Sequence, residues 1–197
     1  AAAMQALHTL GNGELKESVV VALATSLEHK NPRARAGAAE TLGLLKESTA
    51  TTALTRLLGD DDPPTQHAAA CALARMEAGE AVPGLIALAT NDDAGAFARM
   101  GAAWALGELE AREAVAPLLE VIEGGRRGEW NYTSVTVYAV EALGKINIPE
   151  SLPRLVEALA IEDRHLCSQL AVTLRQMTGE NLGEDQEKWK AYLKKSE

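Results

Sequence analysis

The chain has 197 residues and a formal net charge of −9, with 47% hydrophobic but only 4% aromatic residues. This acidic balance argues against nucleic-acid binding and against an anionic membrane surface, because both partners attract basic faces. No apolar run approaches the roughly 20 residues that a membrane-spanning helix needs. The two cysteines, Cys71 and Cys167, lie far apart and are predicted to be small buried side chains with no disulfide between them.

One helical phrase ending in leucine recurs along the chain. Its final leucines are 31 to 37 residues apart, at Leu10, Leu42, Leu73, Leu106, Leu143 and Leu174. A recurrence at this period is typical of stacked helical repeats. We therefore predict an all-α fold, a right-handed α-α superhelix (solenoid) of about six helical hairpins. The predicted single domain covers 1–197, with repeats near 1–30, 31–61, 62–92, 93–130, 131–162 and 163–197.

The second repeat shows how each hairpin is encoded. Asn31 is the expected N-cap and Pro32 the first residue of a helix that continues to Leu45. Gly43 near the end of this helix permits a close approach to its neighbour. A turn then leads to a second helix that ends at Gly59.

The later repeats follow the same pattern. Asp62, the pair Asp92-Asp93, and Asp163 open three of them and are expected to cap helices rather than to bind metal. The β-branched segment 133–138 lies where the period requires a helix. We predict that it is helical despite its strand propensity.

This pattern resembles the short HEAT-like repeat named after phycobilisome lyases. That repeat typically has an Asp-Pro opening, an Arg four residues after the Asp, an Ala-Ala pair and a Leu-Gly ending. The nearest copy here consists of Asn31-Pro32, Arg35, Ala38-Ala39 and Leu42-Gly43. The resemblance implies a ladder of Asp and Arg side chains between adjacent repeats. Gln66, Thr136 and Cys167 occupy the Arg position in three repeats, so the ladder is expected to be interrupted.

The longest step between leucines contains an insertion that the repeats do not require. It includes Arg126, Arg127, Trp130 and Tyr132, whose residue types are enriched in binding hot spots. One interpretation is a partner-binding loop that recognises an acidic or aromatic group. The alternative is that Trp130 and Tyr132 cover the seam between repeats while the arginines are solvated.

The C-terminal segment departs from the repeat pattern. It resembles the Thr-Gly-x-Asp-Phe-Gly ending, followed by a Trp-bearing helix, that closes many bacterial HEAT-repeat proteins. Here it reads Thr178-Gly179-Glu180-Asn181-Leu182-Gly183, followed by Trp189. Gly179 is suited to end a helix in a left-handed conformation, and Asp185 to cap a final helix. We expect a terminal cap, with partner recognition as the alternative.

Catalytic and metal-binding motifs are not recognisable in the sequence. The four histidines, His8, His29, His67 and His165, form no His-Glu motif, and no Cys-x-x-Cys spacing or phosphate-binding loop is present. We therefore expect no enzymatic activity, no catalytic residues, no metal and no cofactor.

The leading functional hypothesis is a non-catalytic protein–protein interaction scaffold. It would present an elongated surface, in particular the face of its second helices, to a protein or peptide partner. The resemblance implies an alternative, a bilin lyase-like enzyme or enzyme subunit, because the lyases that name the repeat attach bilin chromophores to cysteines. Nucleic-acid binding is a third reading, which the net acidity disfavours. We expect a monomeric cytoplasmic protein without membrane contact. The chain opens inside the predicted first helix of a repeat, which is typical of a truncated N-terminus.

Overall fold

The computed structural model describes residues 13–124 and 132–196, with side chains described within 17–124 and 134–195. These residues form eleven α-helices and no strand. None of these helices combines the length and hydropathy required to cross a bilayer. In chain order the helices are α1 (Gly13–Ser26), α2 (Pro32–Leu44), α3 (Thr51–Arg56), α4 (Pro63–Arg75), α5 (Val82–Thr90), α6 (Ala96–Glu108), α7 (Val115–Gly124), α8 (Tyr132–Ile146), α9 (Leu152–Ala158), α10 (Arg164–Thr178) and α11 (Gln186–Ser196).

The helices form two layers. The first helices of the repeats, α2, α4, α6, α8 and α10, pack side by side in that order. The second helices α5, α7 and α9 form the other layer, which α11 continues. Each second helix from α3 to α9 also packs against the first helix that follows it in the chain. The predicted all-helical solenoid is therefore confirmed.

The turn between the two helices of a hairpin has the same backbone conformation in four repeats. A left-handed residue follows the first helix in each, with φ between 49° and 58°, at Lys46, Glu77, Glu110 and Asn147. In three repeats the next N–H donates to the carbonyl of the recurring leucine, at 3.0 to 3.1 Å, from Glu47 to Leu42, Ala78 to Leu73 and Ala111 to Leu106. This Schellman arrangement satisfies carbonyls that the helix end leaves without partners.

The recurring leucines form the centre of the core. Leu42, Leu73, Leu106, Leu143 and Leu174 are at most 1% exposed. The β-branched segment lies in α8, where Val135, Thr136 and Val137 are buried. Tertiary packing thus overrides strand propensity there, as predicted.

The glycine after the recurring leucine sets the spacing of the first helices. A Cβ added to Gly43 would lie 2.5 Å from the Ala72 Cα, and one added to Gly107 would lie 2.8 Å from the Ala142 Cα. Both distances are shorter than any ordinary contact, so each glycine faces the backbone of the next first helix. The close approach predicted for Gly43 is confirmed.

The Asp–Arg ladder is present in two different forms. Arg35 donates to both carboxylate oxygens of Asp60, at 2.7 and 2.6 Å, and so ties α2 to the segment that precedes α4. Arg99 is buried and binds the Ala89 carbonyl at 3.1 Å, with Asp92 at the same distance. At Cys167 a thiol replaces the guanidinium and donates to the Ile161 carbonyl at 3.1 Å.

Aspartate caps are found at two of the three expected helix starts. Asp62 accepts from the Thr65 N–H, and Asp163 from the Leu166 N–H, both at 2.9 Å. The prediction was wrong for Asp92 and Asp93, because α6 begins after Gly95 with no side-chain cap. The Asp92 carboxylate is bound by Arg99 instead.

The last helix packs against α9 and carries a buried tryptophan. Gly179 ends α10 with φ 81°, and Asp185 accepts from the Lys188 N–H at 3.1 Å at the start of α11. Trp189 is fully buried, and its indole N–H donates to the Gly183 carbonyl at 2.8 Å. Gln186 adds a hydrogen bond to the Val156 carbonyl at 3.0 Å.

Two glycines of α2 test whether helix spacing depends on Gly43. We expect Gly43→Ala to lower the free energy of unfolding by about 1–3 kcal/mol, because the added methyl forces α2 and α4 apart. Gly37 is the matched control: a Cβ there meets nothing within 4 Å, so Gly37→Ala should stabilise the chain by about 0.5–1 kcal/mol. Urea denaturation of both variants checks the prediction, and shifts of the same sign would contradict it.

Candidate binding groove on the first-helix face

The insertion that sequence analysis selected falls largely outside the described residues. Arg126, Arg127 and Trp130 lie in the undescribed range 125–131. Tyr132 begins α8, but its side chain is outside the described set. The recognition loop therefore stays a prediction.

The outward side of the first-helix layer, named here the first-helix face, carries exposed apolar surface. On each helix it consists of positions three and four residues apart, namely Arg33, Gly37, Glu40 and Leu44; Pro64, His67, Cys71 and Arg75; Phe97, Met100, Trp104 and Glu108; Tyr138, Glu141 and Lys145; and Val172. Leu44, Phe97 and Val172 are 41%, 49% and 56% exposed. The half-buried Met100, Trp104 and Tyr138 extend this apolar surface over α6 and α8. Apolar surface that continues along one face indicates an interaction surface.

The outward side of the second helices has a different character. Its exposed positions include Thr52, Ala87 and Ala116 and the acidic residues Glu120 and Glu157. Within the described part of α3, α5, α7 and α9, no large hydrophobic side chain is exposed. The sequence favoured this second-helix face, whereas three of the four exposed large hydrophobic side chains among the described residues lie on the first-helix face. The fourth, Val21, is 61% exposed on α1, the second helix of the first repeat.

A groove of about 430 Å³ on the first-helix face lies along α4, between α2 and the start of α6; we name it the α4 groove. Its lining is Arg33, Ala36, Gly37, Glu40, Pro64, His67, Ala68, Cys71, Arg75 and Phe97. A neighbouring depression of about 460 Å³ is lined by Gly43, Leu44, Lys46, Ala74, Arg75, Glu77 and Glu108. Arg75 lines both, so the two adjoin along α4.

A histidine and a cysteine meet inside the α4 groove. The Cys71 Sγ lies 3.5 Å from the His67 Nε2, and the His67 Nδ1 lies 3.0 Å from the Phe97 carbonyl oxygen. Because that carbonyl only accepts hydrogen bonds, a neutral His67 carries its proton on Nδ1. Its Nε2 is then free to accept from the Cys71 thiol. The His67 and Phe97 rings also stack, with centroids 4.0 Å apart.

Burial is the main cause of the pKa shifts of both His67 and Cys71. It lowers the pKa of His67, and the positive charge of Arg75 acts in the same direction, although the bond to the Phe97 carbonyl opposes both. Burial likewise raises the pKa of the Cys71 thiol, against the effect of Arg75. Each shift favours the uncharged form. Near neutral pH the pair is therefore a thiol hydrogen-bonded to an imidazole, not an ion pair.

Positive charge outweighs negative charge in the lining of the α4 groove. Arg33 and Arg75 line it together with Glu40 as the one carboxylate. Among the described residues, neither guanidinium has an ion-pair or hydrogen-bond partner. The groove is thus a local cationic site on a chain with a net charge of −9.

The adjoining surface carries ion pairs between neighbouring repeats. Lys46 pairs with Glu77 at 2.9 Å, which lowers the pKa of that carboxyl. Lys145 pairs with Glu108, and its ammonium lies 5.9 Å from the centre of the Trp104 ring. These residues are partly exposed, so the bridges shape the surface and add little stability.

The His67–Cys71 pair was missed by sequence analysis although its spacing is visible. The two residues are four apart, so one helical face carries both. The sequence showed no His-Cys cluster with zinc spacing, and no Ser or Cys nucleophile with a nearby base was proposed from it. The orienting Phe97 carbonyl comes from the next repeat, thirty residues later, and no local pattern indicates it.

Metal-binding clusters and cysteine pairing were sought in the described part of the chain. No group of three or more His, Cys, Asp or Glu side chains is placed there to hold a metal ion. Cys71 and Cys167 are both free thiols. The prediction that both are small buried side chains was wrong in degree, because both are only partly buried.

Comparisons with known proteins agree with the repeat architecture. The family model for HEAT repeats matches residues 1–74 and 54–129, and that for the PBS lyase HEAT-like repeat matches residues 137–160. Among curated proteins no sequence matches the chain. A chain in the complex of CpcE and CpcF of phycocyanin lyase from Nostoc sp. PCC7120 is similar in structure, with a TM-score of 0.69 and 26% identity over 88% of this chain and 68% of that one. An engineered protein is similar in fold, with a TM-score of 0.55 and 24% identity over 80% of each chain.

Proposed function

We propose that this chain, which belongs to the HEAT-repeat family, is a protein-binding scaffold whose first-helix face holds the partner. The observation that carries the proposal is the exposure of Leu44, Phe97 and Val172 on one face. Phe97 also lines the α4 groove, and Leu44 lines the depression that adjoins it. Aromatic and apolar side chains at the centre of an interface, with charged residues around them, match the composition of binding surfaces.

The structural neighbour adds support for a protein partner. It belongs to a complex of two proteins, CpcE and CpcF. This chain has a similar repeat array with an outward face that no described residue covers. A second protein is therefore the class of partner proposed here.

A lyase-like role is the second candidate. The resemblance to a component of phycocyanin lyase and the match to a PBS lyase repeat both favour it. In this version the chain is a bilin lyase-like enzyme or a subunit of one. The α4 groove, with aromatic, cationic and thiol side chains, is where a bilin would be sought.

We also infer that the C-terminal segment caps the repeat array. The burial of Trp189 and the contact of α11 with α9 support this role. A terminal repeat needs such a cap because no further repeat covers its apolar side.

Paired surface variants test the scaffold proposal. Leu44→Glu with Phe97→Glu changes the first-helix face, and Ala87→Glu with Ala116→Glu adds the same charge to exposed positions of the second-helix face. After affinity capture identifies a partner, we expect titration calorimetry to show binding weakened about 30-fold or more by the first pair alone, because the loss of even one hot-spot residue costs about 2 kcal/mol.

A third variant tests whether the insertion binds the partner. It combines Arg126→Ala, Arg127→Ala and Trp130→Ala. Loss of binding in this variant alone would assign recognition to the insertion. Loss only in the Ala87/Ala116 variant would assign it to the second-helix face. Either result would contradict the first-helix-face proposal.

The binding of a free bilin tests the lyase-like role. The lyase-like role predicts that a phycobilin added to the purified chain changes its visible absorbance, and that Cys71→Ser and Phe97→Ala weaken the change. Cys167→Ser is the matched control, because Cys167 is not in the lining of the α4 groove. An unchanged spectrum at excess protein would remove the lyase-like role for the isolated chain.

The cap inference predicts a large stability effect at one residue. Trp189→Ala should lower the free energy of unfolding by about 3–5 kcal/mol, because it empties a fully buried site and removes the bond to the Gly183 carbonyl. Exposed Lys194→Ala is the control. An unchanged melting temperature for Trp189→Ala would refute the cap.

A further inference from the structure

The chain's two thiols provide an internal comparison. Both are partly exposed, and burial raises the pKa of each. Neither is therefore a ready thiolate near neutral pH. They differ in what receives the thiol hydrogen bond: the Cys71 Sγ faces the His67 Nε2, whereas the Cys167 thiol donates to the carbonyls of Ile161 and Leu159.

Only one of these acceptors is able to take the proton away. A carbonyl oxygen accepts a hydrogen bond but is not a base at neutral pH. The imidazole of His67 is a base, and the Phe97 carbonyl orients it by accepting from Nδ1. A nucleophile, a base and a group that orients the base are the arrangement that activates thiols in proteins.

The surroundings of Cys71 indicate what kind of molecule fits beside it. The α4 groove offers about 430 Å³ of open space lined by Arg33 and Arg75, which have no described side-chain partners. Glu40 on α2 is also in the lining and is close enough to act on the Cys71 thiol. Carboxylates suit the two guanidinium groups, and an ammonium suits Glu40.

We propose that Cys71 is a site of reversible thiolation by small disulfides that carry carboxylates, with His67 as the base and the α4 groove as the binding site. Glutathione disulfide, which carries carboxylates and ammonium groups, represents this class. The inference is independent of partner binding and of the lyase-like role.

The reaction is a thiol–disulfide exchange. The Cys71 Sγ attacks one sulfur of the disulfide while its proton moves to the His67 Nε2. A bond forms between Sγ and that sulfur, and the disulfide bond breaks. The leaving thiolate takes the proton from His67 and departs as a thiol. Cys71 is oxidised to the mixed disulfide, one half of the reagent is reduced, and His67 returns to its neutral form.

The experiment follows both cysteines by peptide mass spectrometry during incubation with glutathione disulfide. We expect Cys71 to react at least about tenfold faster than Cys167, as base assistance implies. His67→Gln should reduce the Cys71 rate to that of Cys167 and leave Cys167 unchanged, with circular dichroism confirming that the variant stays folded. Dithiothreitol should restore the unmodified chain.

Two further measurements separate the base from the charge of the groove. Replacing Arg33 and Arg75 by Gln should slow the reaction with glutathione disulfide severalfold but not that with cystamine, a cationic disulfide. The reaction rate of Cys71 should also fall as the pH falls through the pKa of His67, because the protonated imidazole is no longer a base. The groups that face His67 are Arg75 on its own helix, Arg33 and Glu40 on α2, and the Phe97 carbonyl on α6.

Equal rates at the two cysteines, or an unchanged Cys71 rate in His67→Gln, would overturn the proposal. Equal slowing of both disulfides by the arginine variant would overturn the assignment of an anionic reagent. Because every readout is a rate at a named thiol, failure of the scaffold proposal would not alter these results.

Discussion

The close approach of neighbouring first helices is the constraint on which the rest of the structure depends. Gly43 faces the backbone of Ala72, and Gly107 that of Ala142, at distances that leave no room for a side chain. Small residues at these positions bring successive first helices into contact along their length. The recurring leucines fill the space between the two layers. The period of the sequence is therefore the period of this packing.

The same constraint organises the candidate site. A Cβ added to Gly101 on α6 would lie 2.5 Å from the His67 Nδ1. The absence of a side chain there lets the imidazole lie against α6 and reach the Phe97 carbonyl. That contact holds the Nε2 toward Cys71 and stacks His67 on Phe97. A helix-packing feature thus positions a chemically distinctive pair on an exposed face.

Periodicity was sufficient to predict the architecture because each repeat carries its own caps, turn and core leucine. The cap at Asn31 and the left-handed end at Gly179 followed from local rules. The helix over 133–138 followed from the period, against the local strand propensity. The His67–Cys71 site could not be predicted from local rules, because it joins residues from consecutive repeats. Arg99 shows the same limit: its bond to Asp92 removed a cap that the local sequence predicted. The position of exposed apolar surface also depends on packing, and the sequence favoured the second-helix face.

The tautomer of His67 tests most directly the claim that helix spacing organises the site. Long-range ¹H–¹⁵N NMR at neutral pH reports which imidazole nitrogen carries the proton. We expect the Nδ1–H form in the parent chain. We expect its loss in Gly101→Ala, because the added methyl displaces the ring from the Phe97 carbonyl while the helices remain. An Nε2–H form in the parent, or an unchanged Nδ1–H form in Gly101→Ala, would contradict it.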